Sequence, residues 1–170
     1  MIFNLFRKSP ALDAEFEAYR AIVAQSRRET FYADWGVADT VTGRFDMISL
    51  HLALTLRRFR DEPQARAFGQ ALVDIFFRDM DRSLRELGVT DLGVPKKVKK
   101  MGNLFYGLMG ALDAALDSGD AAAVEAVLVK NIYGAPNPGA PLLAAYLLDE
   151  TNRLRAQPVA AIVATTGAAA

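Results

Sequence analysis

The chain has 170 residues, 52% hydrophobic and 24% charged, with 20 basic against 20 acidic side chains and a formal net charge of zero. This is the profile of an ordinary single globular domain, and it excludes a polyelectrolyte that coats nucleic acid, so DNA is not an expected partner. With no cysteine and one histidine, His51, it also excludes disulfides, thiolate catalysis, and cysteine-ligated or multi-histidine metal sites.

Residues 1–10, MIFNLFRKSP, place Ile2, Phe3, Leu5 and Phe6 ahead of Arg7 and Lys8. A secretory signal has the opposite order, so the segment reads either as aromatics capping the core or as an interfacial foot. No run of about 18 apolar residues is present to span a bilayer. Residues 11–28 read as a helix with Leu12, Phe16, Tyr19 and Val23 on one face. An aromatic loop follows, with Phe31, Tyr32 and Trp35, punctuated by Gly36 and Gly43.

The second helix, 44–60, carries two apolar stripes: Phe45, Ile48, Leu52, Leu56 and Phe59 on one side, Met47, Leu50 and Leu54 on the other. A helix apolar on two faces is sandwiched, so this one is expected at the centre. Pro63 suits the first turn of a third helix running to Glu86, with Phe68, Leu72, Ile75 and Phe76 as its core face and Gly88 as its stop. A fourth helix begins near Pro95, with Asp91 as a candidate cap. A fifth covers 120–132, GAPNPGAP is a loop, and a sixth spans 141–156. Residues 157–170 read as a flexible tail. No segment alternates strictly between apolar and polar residues. The expected fold is therefore all-α: a single-domain bundle of about six helices over 11–156.

The fourth helix has unusual electrostatics. Four of the six lysines, Lys96, Lys97, Lys99 and Lys100, lie at its amino end. The positive pole of the helix dipole disfavours each by about 0.3–1 kcal/mol. Asp113 and Asp117 carry the unfavoured sign at its other end. Folding stability does not account for the cluster, which points to an anionic partner. Val98, Met101, Phe105, Leu108, Met109 and Leu112 line the inner side. The outer side continues from the lysines into Asn103, Gly107, Gly110 and Ala114, with Tyr106 beside them. Small residues at that spacing admit a close neighbour, either an internal helix or a hydrophobic client helix beside the basic rim. Aromatics are not interleaved with the lysines, so base stacking is not suggested, although phosphate contact is compatible.

Other candidates for chemistry are weaker. His51 lies between the two stripes of the second helix and reads as a hydrogen-bonded core residue, with Asp46 five positions away and off its face. Asp74 and Asp81 are spaced for i,i+4 pairs with Arg78 and Arg85. Asp79 falls on the apolar stripe and is expected to be a structural anchor to an arginine, lysine or backbone amide of a neighbouring element. No G-x-S-x-G elbow, phosphate-binding loop or dinucleotide fingerprint occurs. No enzyme activity and no cofactor are therefore expected; divalent-metal catalysis by Asp74, Asp79 or Asp81 is the remaining enzymatic reading.

Three blocks, WGVADTVTGRFDMISLHLAL, FFRDMDRSLRELGVTDLGVPKKVKKMGNLFYG and NIYG at Asn131–Gly134, resemble the ubiquinol–cytochrome c reductase assembly chaperones. That family has mitochondrial and bacterial members. The blocks cover most of residues 30–135, and Ala38 departs from an expected proline, which should loosen the loop. The resemblance implies an all-helical, non-enzymatic chaperone that binds newly made cytochrome b for assembly of the respiratory complex. It implies a cytoplasmic position, peripheral to the inner membrane, near the ribosome tunnel exit or an anionic membrane surface. A small partner subunit, as in mitochondrial members, is left open. In this setting Lys96, Lys97, Lys99 and Lys100 are candidates for ribosome or membrane contact, and Asn103, Tyr106, Gly107 and Gly110 for client contact. The alternative is a helical adaptor that binds an acidic soluble protein through the same patch.

Overall fold

The computed structural model describes residues 10–164, with side chains from 14 to 163. Among them it contains helices and turns but no strand: α1 (Pro10–Ser26), α2 (Glu29–Ala33), α3 (Val41–Phe59), α4 (Arg66–Glu86), α5 (Val94–Ser118), α6 (Ala121–Leu128), α7 (Ala140–Ala156) and α8 (Val159–Ala164). The six longer helices are those the periodicity predicts; α2 and α8 are additions. The N-terminal segment up to residue 9 and residues 165–170 lie outside the described residues.

Helix α3 is central, in contact with α1, α4, α5 and α7. Its two stripes enter two different cores. Phe45, Ile48, Leu52 and Phe59 pack with Tyr19, Ile22, Leu72, Ile75, Phe76 and Phe105. Met47, Leu50 and Leu54 pack with Leu108, Leu112, Val124, Leu128, Leu143 and Leu147. Helix α5 contributes to both cores, so its inner face is fixed along its length and its outer face is defined by exclusion. α1 is rotated from the expected face: Ala18, Tyr19 and Ile22 are buried whereas Phe16 is exposed. The stretch expected as tail is helical in α8, with Val159 buried and α8 resting on α1. None of the helices is long and apolar enough to cross a membrane, among the described residues.

Two of the family-like blocks meet in one loop knot. α3 starts earlier than predicted because the Thr40 hydroxyl caps it, accepting from the Gly43 amide at 3.1 Å. Gly43 is required there: a Cβ would stand 1.9 Å from the Ala38 carbonyl oxygen. That oxygen also accepts from the Thr40 amide at 2.9 Å, so the loop is clamped at the residue that departs from proline. After α6 a π-helical turn, Val129–Tyr133, ends at Gly134 with φ 72°, a left-handed position that favours glycine. The turn aims the Tyr133 hydroxyl at the Trp35 carbonyl, to which it donates at 2.9 Å. Gly139 lies close against the same carbonyl.

Asp46 on α3 has no hydrogen-bond or ion partner among the described residues, and burial pushes its carboxyl up to about 7 from the ordinary 3.8. A raised carboxyl pKa means that the folded state holds the proton more tightly than the unfolded one. The associated stability is present below pH 3.8 and is lost as pH rises through 7. Asp46→Asn is therefore expected to be neutral near pH 4 and to stabilise by about 2 kcal/mol at pH 8. At about 1.4 kcal/mol per unit, that figure allows for partial solvation of a half-buried group. Urea denaturation at the two pH values checks it; an equal effect at both would contradict it.

Candidate functional site

The candidate surface runs along the outer side of α5. Lys96, Lys97, Lys99 and Lys100 are all exposed, and none has an ion pair among the described residues. Asp91 does not cap the helix as expected: its carboxylate pairs with Arg85, and the N-cap position, Gly93, offers no side-chain acceptor. The connection ahead of the lysines exposes two leucines, Leu87 and Leu92, the latter 87% exposed.

Beyond the lysines the same face carries no charge from Met101 to Leu112. Asn103, Leu104, Tyr106, Gly107, Gly110 and Ala111 are exposed there, Leu104 at 54% and Tyr106 at 52%. Of the two alternatives, an internal helix over the small residues is not found among the described residues: a Cβ on Gly107 or Gly110 would have nothing within 4 Å there. Exposed glycine inside a helix costs about 0.5–1 kcal/mol relative to alanine. Two such positions touched by no other described residue therefore lower stability with no return from the described fold. Leu104 was not singled out from sequence, although helical spacing sets it about 100° from Phe105 and one turn beyond Lys100, on the outer side.

The unfavoured acids at the end of α5 have an explanation that lies in another helix. Arg57 of α3, its side chain 5% exposed, donates to Asp113 at 2.6 Å and to Asp117 at 2.5 Å. Arg60 approaches both, at 3.8 and 3.5 Å. The hydrogen bond from Arg57 holds the Asp117 carboxyl below the usual range. This network locks α5 against α3, and so holds the outer face in place.

The remaining candidates occupy separate places. His51 is buried: its Nδ1 is 2.8 Å from the Met47 carbonyl and its Nε2 2.8 Å from the Tyr146 hydroxyl. A carbonyl only accepts, so Nδ1–H donates, and Nε2 receives the Tyr146 proton. Tyr146 in turn accepts from Gln25 at 2.8 Å. Burial lowers the His51 pKa, in keeping with this neutral tautomer. Asp79 accepts from the Tyr19 hydroxyl at 3.0 Å and from Arg82 at 2.6 Å, so its cross-helix partner is a tyrosine and not the expected cation or amide. Asp74 accepts from Gln70, and Arg78 donates to the Asp74 backbone carbonyl, so the predicted Asp74–Arg78 ion pair is not formed; Asp81–Arg85 is. The three acids thus serve different partners, and the structure does not bring them together on one ion.

The family model for the Ubiquinol-cytochrome C chaperone matches residues 33–169, beyond the blocks that carried the resemblance. No curated protein matches. The crystal structure of the Cbp3 homolog from Brucella abortus is 43% identical, with a TM-score of 0.84 over 96% of this chain and 93% of that one. The chain belongs to the ubiquinol–cytochrome c chaperone family.

Proposed function

We propose that this chaperone acts without catalysis, binding newly made cytochrome b on the outer face of α5 and releasing it for assembly of ubiquinol–cytochrome c reductase. The observation that carries the reading is the uncharged face through Asn103, Tyr106, Gly107 and Gly110, open to solvent and adjoining a basic cluster. A membrane-protein client offers apolar helices whose ends meet charged lipid, and a face that passes from cations to small and apolar residues matches that sequence of environments. The test uses glycine positions where the fold has room. Gly107→Ala and Gly110→Ala are each expected to raise stability by about 0.5–1 kcal/mol. Gly107→Leu with Gly110→Leu should keep the helicity and abolish recovery of cytochrome b with the chaperone. Undiminished recovery with the leucine variant would defeat the docking face.

The lysines then serve the surface at which the client is met, with the chaperone cytoplasmic and peripheral to the inner membrane. Exposed Leu87 and Leu92 beside Lys96, Lys97, Lys99 and Lys100 favour an anionic bilayer over ribosomal RNA, because leucine gains from acyl chains and not from phosphate. Near an anionic leaflet each lysine is worth about 1 kcal/mol. Replacing all four by glutamine is expected to weaken flotation with phosphatidylglycerol vesicles at least tenfold, and Leu92→Asp to weaken it without affecting ribosome sedimentation. Loss of ribosome binding with intact flotation would assign the patch to RNA. Capture of an acidic soluble protein without membranes would favour the adaptor reading.

A further inference from the structure

A second feature lies away from the outer face of α5. Where α1 packs on α4, residues of the two helices line an open cleft of about 670 Å³. Its floor is apolar, built from Phe16, Val23 and Ile75 together with the ring of Tyr19. Four arginines stand around it, Arg20 and Arg27 from α1 and Arg78 and Arg82 from α4, against one lining carboxylate, Asp79. Asp79 is already engaged by Tyr19 and Arg82, and Arg20 pairs with Glu17. Arg78 donates only to a backbone carbonyl, and neither it nor Arg27 has a carboxylate partner among the described residues. Phe16, an aromatic on the first turns of α1, is left 39% exposed at the floor of the cleft although the periodicity assigns it to the core.

We propose that this cleft binds an anionic amphiphile: a phosphate or carboxylate head between Arg27 and Arg78, with an acyl chain along Phe16, Val23 and Ile75. The guanidinium fork matches either head group in bidentate geometry. The excess of cations over acids disfavours a neutral or cationic head. The apolar floor gives the chain a place that inorganic phosphate does not use. The volume lies within the range of small-ligand sites and suits one chain. The cleft and the α5 face share no residue, so the proposal stands apart from the client reading.

Lysophosphatidic acid below its micellar concentration, lysophosphatidylcholine with the same chain, and inorganic phosphate are titrated calorimetrically into the full chain. Vesicles with and without phosphatidylglycerol form a parallel arm, which separates a dissolved amphiphile from a headgroup taken out of a bilayer. Lysophosphatidic acid is expected to bind at least tenfold more tightly than either control. Arg27→Gln with Arg78→Gln should remove that preference while helicity is kept, since neither arginine holds a partner carboxylate among the described residues. Ala24→Phe, which fills the cleft, should weaken binding of the chain-bearing ligands. A response to the arginine variant in the vesicle arm alone would place the source in the membrane. Equal affinity for both lysolipids with no preference for phosphatidylglycerol vesicles, or indifference to the Arg27/Arg78 variant in both arms, would overturn the proposal.

Discussion

Replacing Asp113 and Asp117 together by asparagine is expected to destabilise the protein by about 3–5 kcal/mol, the cost of leaving a buried charge without its counter-ions. The charge is that of Arg57, whose guanidinium has almost no contact with solvent and whose Nε already lacks a hydrogen-bond partner. Replacing Arg57 by methionine should cost less, about 1–2 kcal/mol. The carboxylates it leaves behind are 32% and 52% exposed and can turn to water or to Arg60. The order of the two effects separates a buried guanidinium from a surface ion pair, for which both changes would fall within about 1 kcal/mol. Urea denaturation of the two variants decides it, and a larger loss for the arginine variant would contradict the assignment.

Gly139→Ala is expected to cost about 3–4 kcal/mol, or roughly 10 °C in Tm for a chain of this size. The added Cβ would stand 1.8 Å from the Trp35 carbonyl oxygen and 2.5 Å from its carbon, so one backbone segment must move. The Trp35 oxygen is also fixed by the Tyr133 hydroxyl, and Trp35 packs against Phe31 and Tyr146. Displacement would therefore disturb an aromatic cluster as well as a loop. The same substitution at Gly107 or Gly110 should have the opposite sign. Scanning calorimetry of the three alanine variants compares glycine held by close approach with glycine in open space; a uniform effect would contradict the distinction.

This contrast shows where the sequence was informative. The two stripes of α3 were legible because each follows helical period, and the structure places each stripe in its own core. The four lysines were legible as an anomaly because the helix dipole gives a sign rule that needs no tertiary information. Asp113 and Asp117 break the same rule for a different reason: their partner Arg57 is 56 residues away from Asp113, across a helix interface that local periodicity does not encode. A trace of it was present in two acids one turn apart near the inner face of α5. The short helices α2 and α8 span 5 and 6 residues, too few to establish a period, and they hold their shape through tertiary contacts. Whether Gly107 and Gly110 were covered was undecidable from spacing, because an internal helix and an external one make the same demand for small side chains.

The loop blocks carry a related lesson. WGVADTVTGRF and NIYG drew the resemblance to the family, yet the contacts among Trp35, Ala38, Gly43, Tyr133 and Gly139 are those of a structural clasp. The more persuasive functional surface is the plainer stretch on α5, which is uncharged and exposed, with two glycines that no other described residue approaches.

The central claim, that the outer face of α5 receives cytochrome b, is tested most directly by a photo-crosslinking residue placed at Tyr106 in cells translating cytochrome b, with Leu142 on α7 as an equally exposed apolar reference. An adduct with cytochrome b from position 106 and none from 142 is the predicted result. Capture of cytochrome b from 142 but not from 106 would contradict it.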